Sequence, residues 1–254
     1  MLRYRFLLPA LRVMSVTGAV QLLLLALPVC AQERATDVQL APAFKFTTGL
    51  YSSSAGGGLG LDLNLRHTSD FGNIWLGWFR APSTDTSQAR VGWDRTFTLG
   101  PIRLQPSLQV ASGGFLGGSA MVEAGETWFA GAGLGRTNLR NYVNLNFDPN
   151  DAWMLSGGYR WADNRSLALQ IVHDNRQNPD QRHVHVVWRT PVADGDRLTV
   201  DLLAKSGMVG GTSIHRIGLT VGYDWSRTFI RVAWDPKVNF TPQDMLRLSA
   251  GVRF

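Results

Sequence analysis

One cysteine, few charges and no repeated long apolar run set this 254-residue chain apart by what it lacks. A single cysteine excludes a disulfide framework and any multi-cysteine zinc or iron–sulfur centre. Charged residues make up 17% of the chain, against roughly 25% in soluble domains, so an ordinary hydrated surface is in short supply. A mean hydropathy of -0.06, without repeated apolar stretches of about 20 residues, excludes a polytopic helical membrane protein. Apolar recurrence at helical spacing is nearly missing as well. What is plentiful is glycine, with 27 residues, and tryptophan, with 9. The net charge of +6 and pI near 10 would by themselves suggest nucleic acid.

That suggestion fades once residues 1–31 are set aside. Arg3, Arg5 and Arg12 form a basic leader, Gly18–Pro28 an apolar core, and Val29-Cys30-Ala31 a small-residue cleavage pattern, so a signal peptide cut after Ala31 is expected. Lipidation of Cys30 fits poorly, because Val29 stands directly before it. Residues 1–31 carry three of the 25 basic residues, the only cysteine and no acid, so the rest of the chain has a net charge of +3. No basic run with interleaved aromatics remains, and nucleic acid is not an expected partner.

The remaining sequence alternates with period two. Leu59, Leu61, Leu63 and Leu65 alternate with Gly60, Asp62, Asn64 and Arg66; Leu246, Leu248, Ala250, Val252 and Phe254 alternate with Arg247, Ser249 and Arg253. Such alternation marks strands with two unlike faces. The expected strands are 44–53, 58–67, 73–80, 89–98, 101–111, 119–132, 138–147, 152–161, 166–174, 182–190, 197–205, 213–225, 228–235 and 245–254. Segments of about ten residues exceed the usual strand of five or six and match the length that crosses a bilayer at a tilt. Open sheet edges are not tolerated in lipid, so the strands must close. The expectation is an all-β fold: a closed antiparallel transmembrane β-barrel over 44–254, with fourteen strands, or twelve as the runner-up, after a short periplasmic segment at 32–43.

The connections alternate in length, as they do when short turns collect at one end. Short ones are read at Gly100-Pro101, Arg136-Thr137-Asn138, Asp163-Asn164-Arg165 and Ser226-Arg227. Longer ones are read at 81–88, 112–118, 175–181, 206–212 and 236–244. Asp148-Pro149-Asn150-Asp151 breaks the order. Aromatic residues gather near strand ends (Trp153, Trp161, Trp188, Tyr223, Trp225, Trp234), where amphipathic rings suit a membrane interface.

On these residues the chain resembles a porin-like outer-membrane β-barrel protein of Gram-negative bacteria, over 44–254. The ending Leu246-x-Leu248-x-Ala250-x-Val252-x-Phe254 resembles the signal read by the outer-membrane assembly machinery, which implies that machinery and outer-membrane lipid as partners and Phe254 as the assembly signal. The resemblance is to a class, and function does not follow from class alone.

Strand parity points Arg66, Arg90, Arg103, Arg140, Arg160, Arg189, Lys205, Arg216, Arg247 and Arg253 inward, with Asp62, Asp94, Glu123, Asp174, Asp201 and Asp224. A dry interior would desolvate these cations at several kcal/mol apiece unless each were paired. A wet lumen relieves that, and a basic lining favours anions. The first functional expectation is a passive channel for small polar or anionic solutes. The second is a barrel plugged by its own ion pairs, serving a structural or surface-interaction role. Loops under about ten residues leave little material for a folded-in plug.

A third reading is enzymatic. His67-x-Ser69 resembles the His-x-Ser element of lipid-hydrolysing barrels such as outer-membrane phospholipase A and lipid A deacylase, which implies a histidine taking the serine proton. Here the pair falls at the expected periplasmic end, and Asp70 stands where those motifs carry asparagine. His183 and His185 share a face and could meet Asp174, but two histidines without a firm third ligand make weak metal evidence. Gly131, Gly133 and Gly135 lack the strand–helix context of a dinucleotide loop. Neither cofactor nor metal is expected.

Overall fold

The computed structural model describes residues 42–54, 58–193 and 195–254. The expected signal peptide and most of the 32–43 segment lie outside the described residues. Fifteen strands follow one another: β1 (Phe44–Ser53), β2 (Leu59–Ser69), β3 (Gly72–Ala81), β4 (Thr86–Asp94), β5 (Phe97–Leu99), β6 (Ile102–Ala111), β7 (Phe115–Ala124), β8 (Trp128–Thr137), β9 (Ala152–Arg160), β10 (Ser166–Asp174), β11 (Arg182–Pro191), β12 (Arg197–Val209), β13 (Thr212–Asp224), β14 (Thr228–Asp235) and β15 (Met245–Arg253). Every pairing is antiparallel; chain neighbours pair, except that β4 pairs with β6 past β5, and β1 also pairs with β15, which closes the ring.

β4 and β5 are two parts of one wall strand. Asp94 faces Ser107 and Phe97 faces Leu104, so the register is unchanged across the gap. Residues 95 and 96 oppose Gln105 and Pro106, and Pro106 has no N–H to give the ladder. Only Arg95 N–H to Pro106 O, at 3.2 Å, spans the break. The barrel therefore has fourteen strands.

At the seam Phe44 and Phe254 exchange backbone hydrogen bonds of 2.8 and 3.0 Å, and their rings stack 5.7 Å apart. The apolar parity of the strands faces outward: Leu76, Val91, Leu108, Leu155, Leu169, Leu202, Leu219 and Val232 are all exposed. A continuous apolar belt of this kind has no place in water. Trp128, Tyr159, Trp161 and Trp188 form a ladder of edge contacts 4.7–5.5 Å apart near the end that carries both strand termini, Phe44 and Phe254.

Two stretches depart from expectation. The segment 119–132 is not one strand: it contains the turn 125–127 between β7 and β8. Gly125 makes that turn at φ 106°, where an added Cβ would lie 2.0 Å from Trp128 O. The second departure follows from the first. β8 runs on through Arg136 and Thr137, so no turn exists there, and 138–147 is no strand but the start of a long connection, 138–151, that folds inside the barrel. The expected loops 112–118 and 206–212 shrink to 112–114 and to Gly210-Gly211. Both of these glycines have positive φ, 55° and 81°, as a two-residue hairpin turn requires.

The inserted connection builds an internal apolar core. Leu145 and Phe147 pack with Tyr51, Phe79, Ala81 and Val238, flanked by Val143 and Met245. The expectation that the loops leave little material to fold inward is thus corrected: the 138–151 connection is longer than any loop read from the sequence.

Candidate functional site

The interior is organised around 138–151. Its alternation, Val143-x-Leu145-x-Phe147, is real, but the intervening residues are Asn144 and Asn146, which bond locally rather than across a ladder. Asn144 Oδ1 accepts from Asn146 N–H at 3.1 Å, and Leu139 and Phe147 adopt φ of 61° and 72°, which no strand allows.

Four wall contacts fasten the loop. The Gln88 side chain mimics a ladder rung: its Nε2 donates to Val143 O at 3.1 Å and its Oε1 accepts from Val143 N–H at 2.8 Å. Arg247 Nη1 donates to Leu145 O at 3.0 Å, with its guanidinium 5.0 Å from the Phe147 ring centre. Asp148 Oδ1 lies 2.7 Å from His183 Nδ1 and 3.1 Å from His185 Nε2. At the loop's base, wholly buried Asp151 accepts from Thr137 N–H at 3.0 Å, Thr137 Oγ1 at 2.6 Å and Gln177 Nε2 at 2.6 Å, and pairs with Arg176 at 2.5 Å. Burial works to raise both carboxyls, but these hydrogen bonds outweigh it and hold Asp148 and Asp151 below the usual carboxylate range.

The inward acids are all engaged. Asp62 pairs with Arg90, Asp94 with Arg66 at 3.3 Å, and Glu123 with both Arg103 at 3.1 Å and Arg160 at 2.7 Å. Asp224 pairs with Arg253 and with Arg197 at 3.6 Å, while Asp201 Oδ1 lies 3.0 Å from His185 Nδ1. Lys205, fully buried, pairs at 2.5 Å with Asp235, which parity reasoning left out. Asp174 does not approach the histidines; it accepts the N–H groups of Arg176 and Gln177, both at 2.9 Å. Arg140 sits exposed on the inserted loop. Arg216 is exposed on the β12–β13 hairpin, which continues past the last β14 pairing at Leu219↔Trp234.

Several cations stay unpaired. Lys45, Arg189 and Arg231 make no salt bridge among the described residues. A central cavity of about 490 Å³ holds Lys45 and Arg231 together with Arg66, Arg90 and Arg247 against only Asp62 and Asp94. A second, of about 640 Å³, lies at the short-turn end and gathers Arg160, Arg165, Arg189, Arg197 and Arg253 against Asp196 and Asp224. Ser107, Gln109 and Asn146 line both the central cavity and one of about 210 Å³, which in turn shares Phe115, Thr137 and Asp148 with one of about 310 Å³. Space thus continues from mid-barrel along the inserted loop towards the long-loop end. Parity could have found Lys45 and Arg231, since Phe44, Phe46, Ile230 and Val232 point outward on either side of them.

The His67–Ser69 pair does not form a catalytic contact. Ser69 Oγ donates to Gly72 O at 3.2 Å, and the His67 ring lies 4.7 Å from that of Phe44.

No protein-family model matches the chain, and no curated protein does. Among solved structures, the Acinetobacter baumannii outer membrane protein Omp33 superposes with a TM-score of 0.57 at 9% identity, covering 85% of this chain and 99% of that one. The NanC porin (TM-score 0.46, 8% identity, 82% and 100% covered) and the KdgM porin (0.40, 11%, 83% and 99%) are more distant. The Omp33 likeness shows the fold, a closed antiparallel β-barrel, and nothing finer.

Proposed function

We propose that this protein is a passive outer-membrane channel for small polar solutes, preferring anions. The observation that carries the reading is the set of interior cavities lined by cations without a salt bridge among the described residues, Lys45 and Arg231 at mid-barrel and Arg189 at the short-turn end. Solvated fixed cations favour anions, whereas the zipped pairs of the wall are electrically neutral and only stiffen it. The inserted loop sets the bore, as a constriction rather than a full plug. In this reading residues 1–31 direct export, the apolar belt meets outer-membrane lipid, the ends with short turns face the periplasm, and Phe254 is the residue the assembly machinery reads.

Purified protein in a planar bilayer under a salt gradient tests the proposal. Discrete conductance steps with a reversal potential of anion-selective sign are expected; a folded barrel without conductance, or one selective for cations, contradicts it.

A further inference from the structure

Two imidazoles of the wall and one carboxylate of the inserted loop converge inside the barrel. His183 and His185 are separated by one residue on β11 and so share its inner face, while Asp148 reaches them from 138–151. Both rings address the same oxygen, Asp148 Oδ1, at 2.7 and 3.1 Å, and the three ligand atoms lie within 4.8 Å of one another. Each of these contacts needs a proton on its ring nitrogen. One divalent ion can replace both protons and take the two nitrogen lone pairs and the carboxylate at once. Bonds of about 2.0–2.1 Å in a tetrahedral site place ligand atoms about 3.3 Å apart, so the two contacts to Asp148 open by about 0.2–0.6 Å while the two ring nitrogens, within 4.8 Å of each other, draw together.

The surroundings of His185 suit a ligand set. His185 Nδ1 is 3.0 Å from Asp201 Oδ1, an outer carboxylate of the kind that orients a ligating histidine and leaves Nε2 free for the metal. His183 is completely buried against Phe240, its ring stacked at 5.3 Å, and its Nε2 has no hydrogen-bond partner among the described residues. Its Nδ1 is the nitrogen that reaches Asp148 Oδ1, so it is the one that faces the metal position.

We propose that Asp148, His183 and His185 bind a zinc-class divalent metal ion, which clamps the 138–151 loop to the barrel wall. Two imidazoles and one carboxylate suit borderline metals such as Zn²⁺ and Co²⁺ and leave a fourth position for water from the lumen; Mg²⁺ and Ca²⁺ prefer oxygen ligands throughout. The binding claim does not depend on the channel reading; only its effect on conductance does.

Calorimetric titration of the chelator-stripped, folded full chain with Zn²⁺, and of the same protein with Co²⁺ followed by visible absorption, tests the site. One-to-one binding is expected, unaffected by excess Mg²⁺, weakened well beyond tenfold by Asp148→Asn or His185→Gln, and weakened about tenfold by Asp201→Asn. Asp148→Asn changes only a loop residue, so it decides the matter if His185→Gln fails to fold. No binding, or wild-type affinity in Asp148→Asn, overturns the site. Zinc binding that depends on Asp148 in a barrel carrying no current upholds the site and contradicts the channel.

Discussion

Strand β10 and the inserted segment 138–147 both alternate apolar and polar residues, yet one is wall and the other lies inside it. In β10, Leu167 and Leu169 are exposed to the membrane side, with Gln170 between two paired neighbours. In 138–147, Leu145 turns inward onto Tyr51, Phe79 and Phe147, and the loop's polar residues bond to themselves and to wall side chains. Alternation therefore reports two environments on the two sides of a segment, not membership of a ladder. What separates the two is the chemistry of the polar residues and what flanks the segment. Asparagines that can close local turns, in a stretch with neighbours already paired on both sides, favour the loop.

The largest effect separating the two segments should come from opposite burials. Phe147→Ala is expected to remove about 3–5 kcal/mol of packing from the loop alone. Protease cleavage within 138–151 and open-channel noise should rise, while the denaturant midpoint of the barrel stays near wild type. Leu169→Arg, on the lipid side near the middle of β10, should do the reverse: about 2–4 kcal/mol lost from the barrel in denaturant titration, with no added cleavage of the loop. Equal loss of barrel stability in both variants would erase the distinction.

A smaller effect concerns selectivity. Arg231→Glu places an acid in the central cavity beside Lys45 and should move the reversal potential toward cations, whereas Arg103→Gln, in the Glu123 pair of the wall, should move it much less. Comparable shifts from both would mean that the paired wall cations also face the permeating ion.

The smallest is acid sensitivity. Asp151 titrates below the ordinary carboxylate range in the folded protein, so its hold on the loop is complete above about pH 4 and is lost as pH falls through its folded value. Loop cleavage at pH 3 should exceed that at pH 6 in the wild type. Asp151→Asn should already be cleaved faster at pH 6 and respond less to acid. An unchanged acid response in that variant would place the sensitivity elsewhere.

Much of the wall was legible in sequence because lipid demands strict alternation. The bounds of 44–53 and 166–174 coincide with β1 and β10, and the count of fourteen holds. It holds partly through compensation: 119–132 merges the turn at Gly125 into one strand, and the false strand 138–147 restores the number. Parity also placed the Glu123 and Asp62 pairs inside, since both partners of each lie on wall strands. The constriction was not legible. In sequence Asp148 reads as part of a turn, and nothing local says that a turn residue will meet His183 and His185 across the lumen. Gln88, standing in for a strand against Val143, is equally invisible until the loop is known to fold inward.

In the proposed channel, 138–151 narrows a cation-lined bore. Single-channel recording of a variant in which 139–150 is replaced by a short glycine–serine turn, beside the wild type under the same salt gradient, tests it most directly. A several-fold larger conductance with anion preference retained is expected. Unchanged conductance in a folded variant would contradict it.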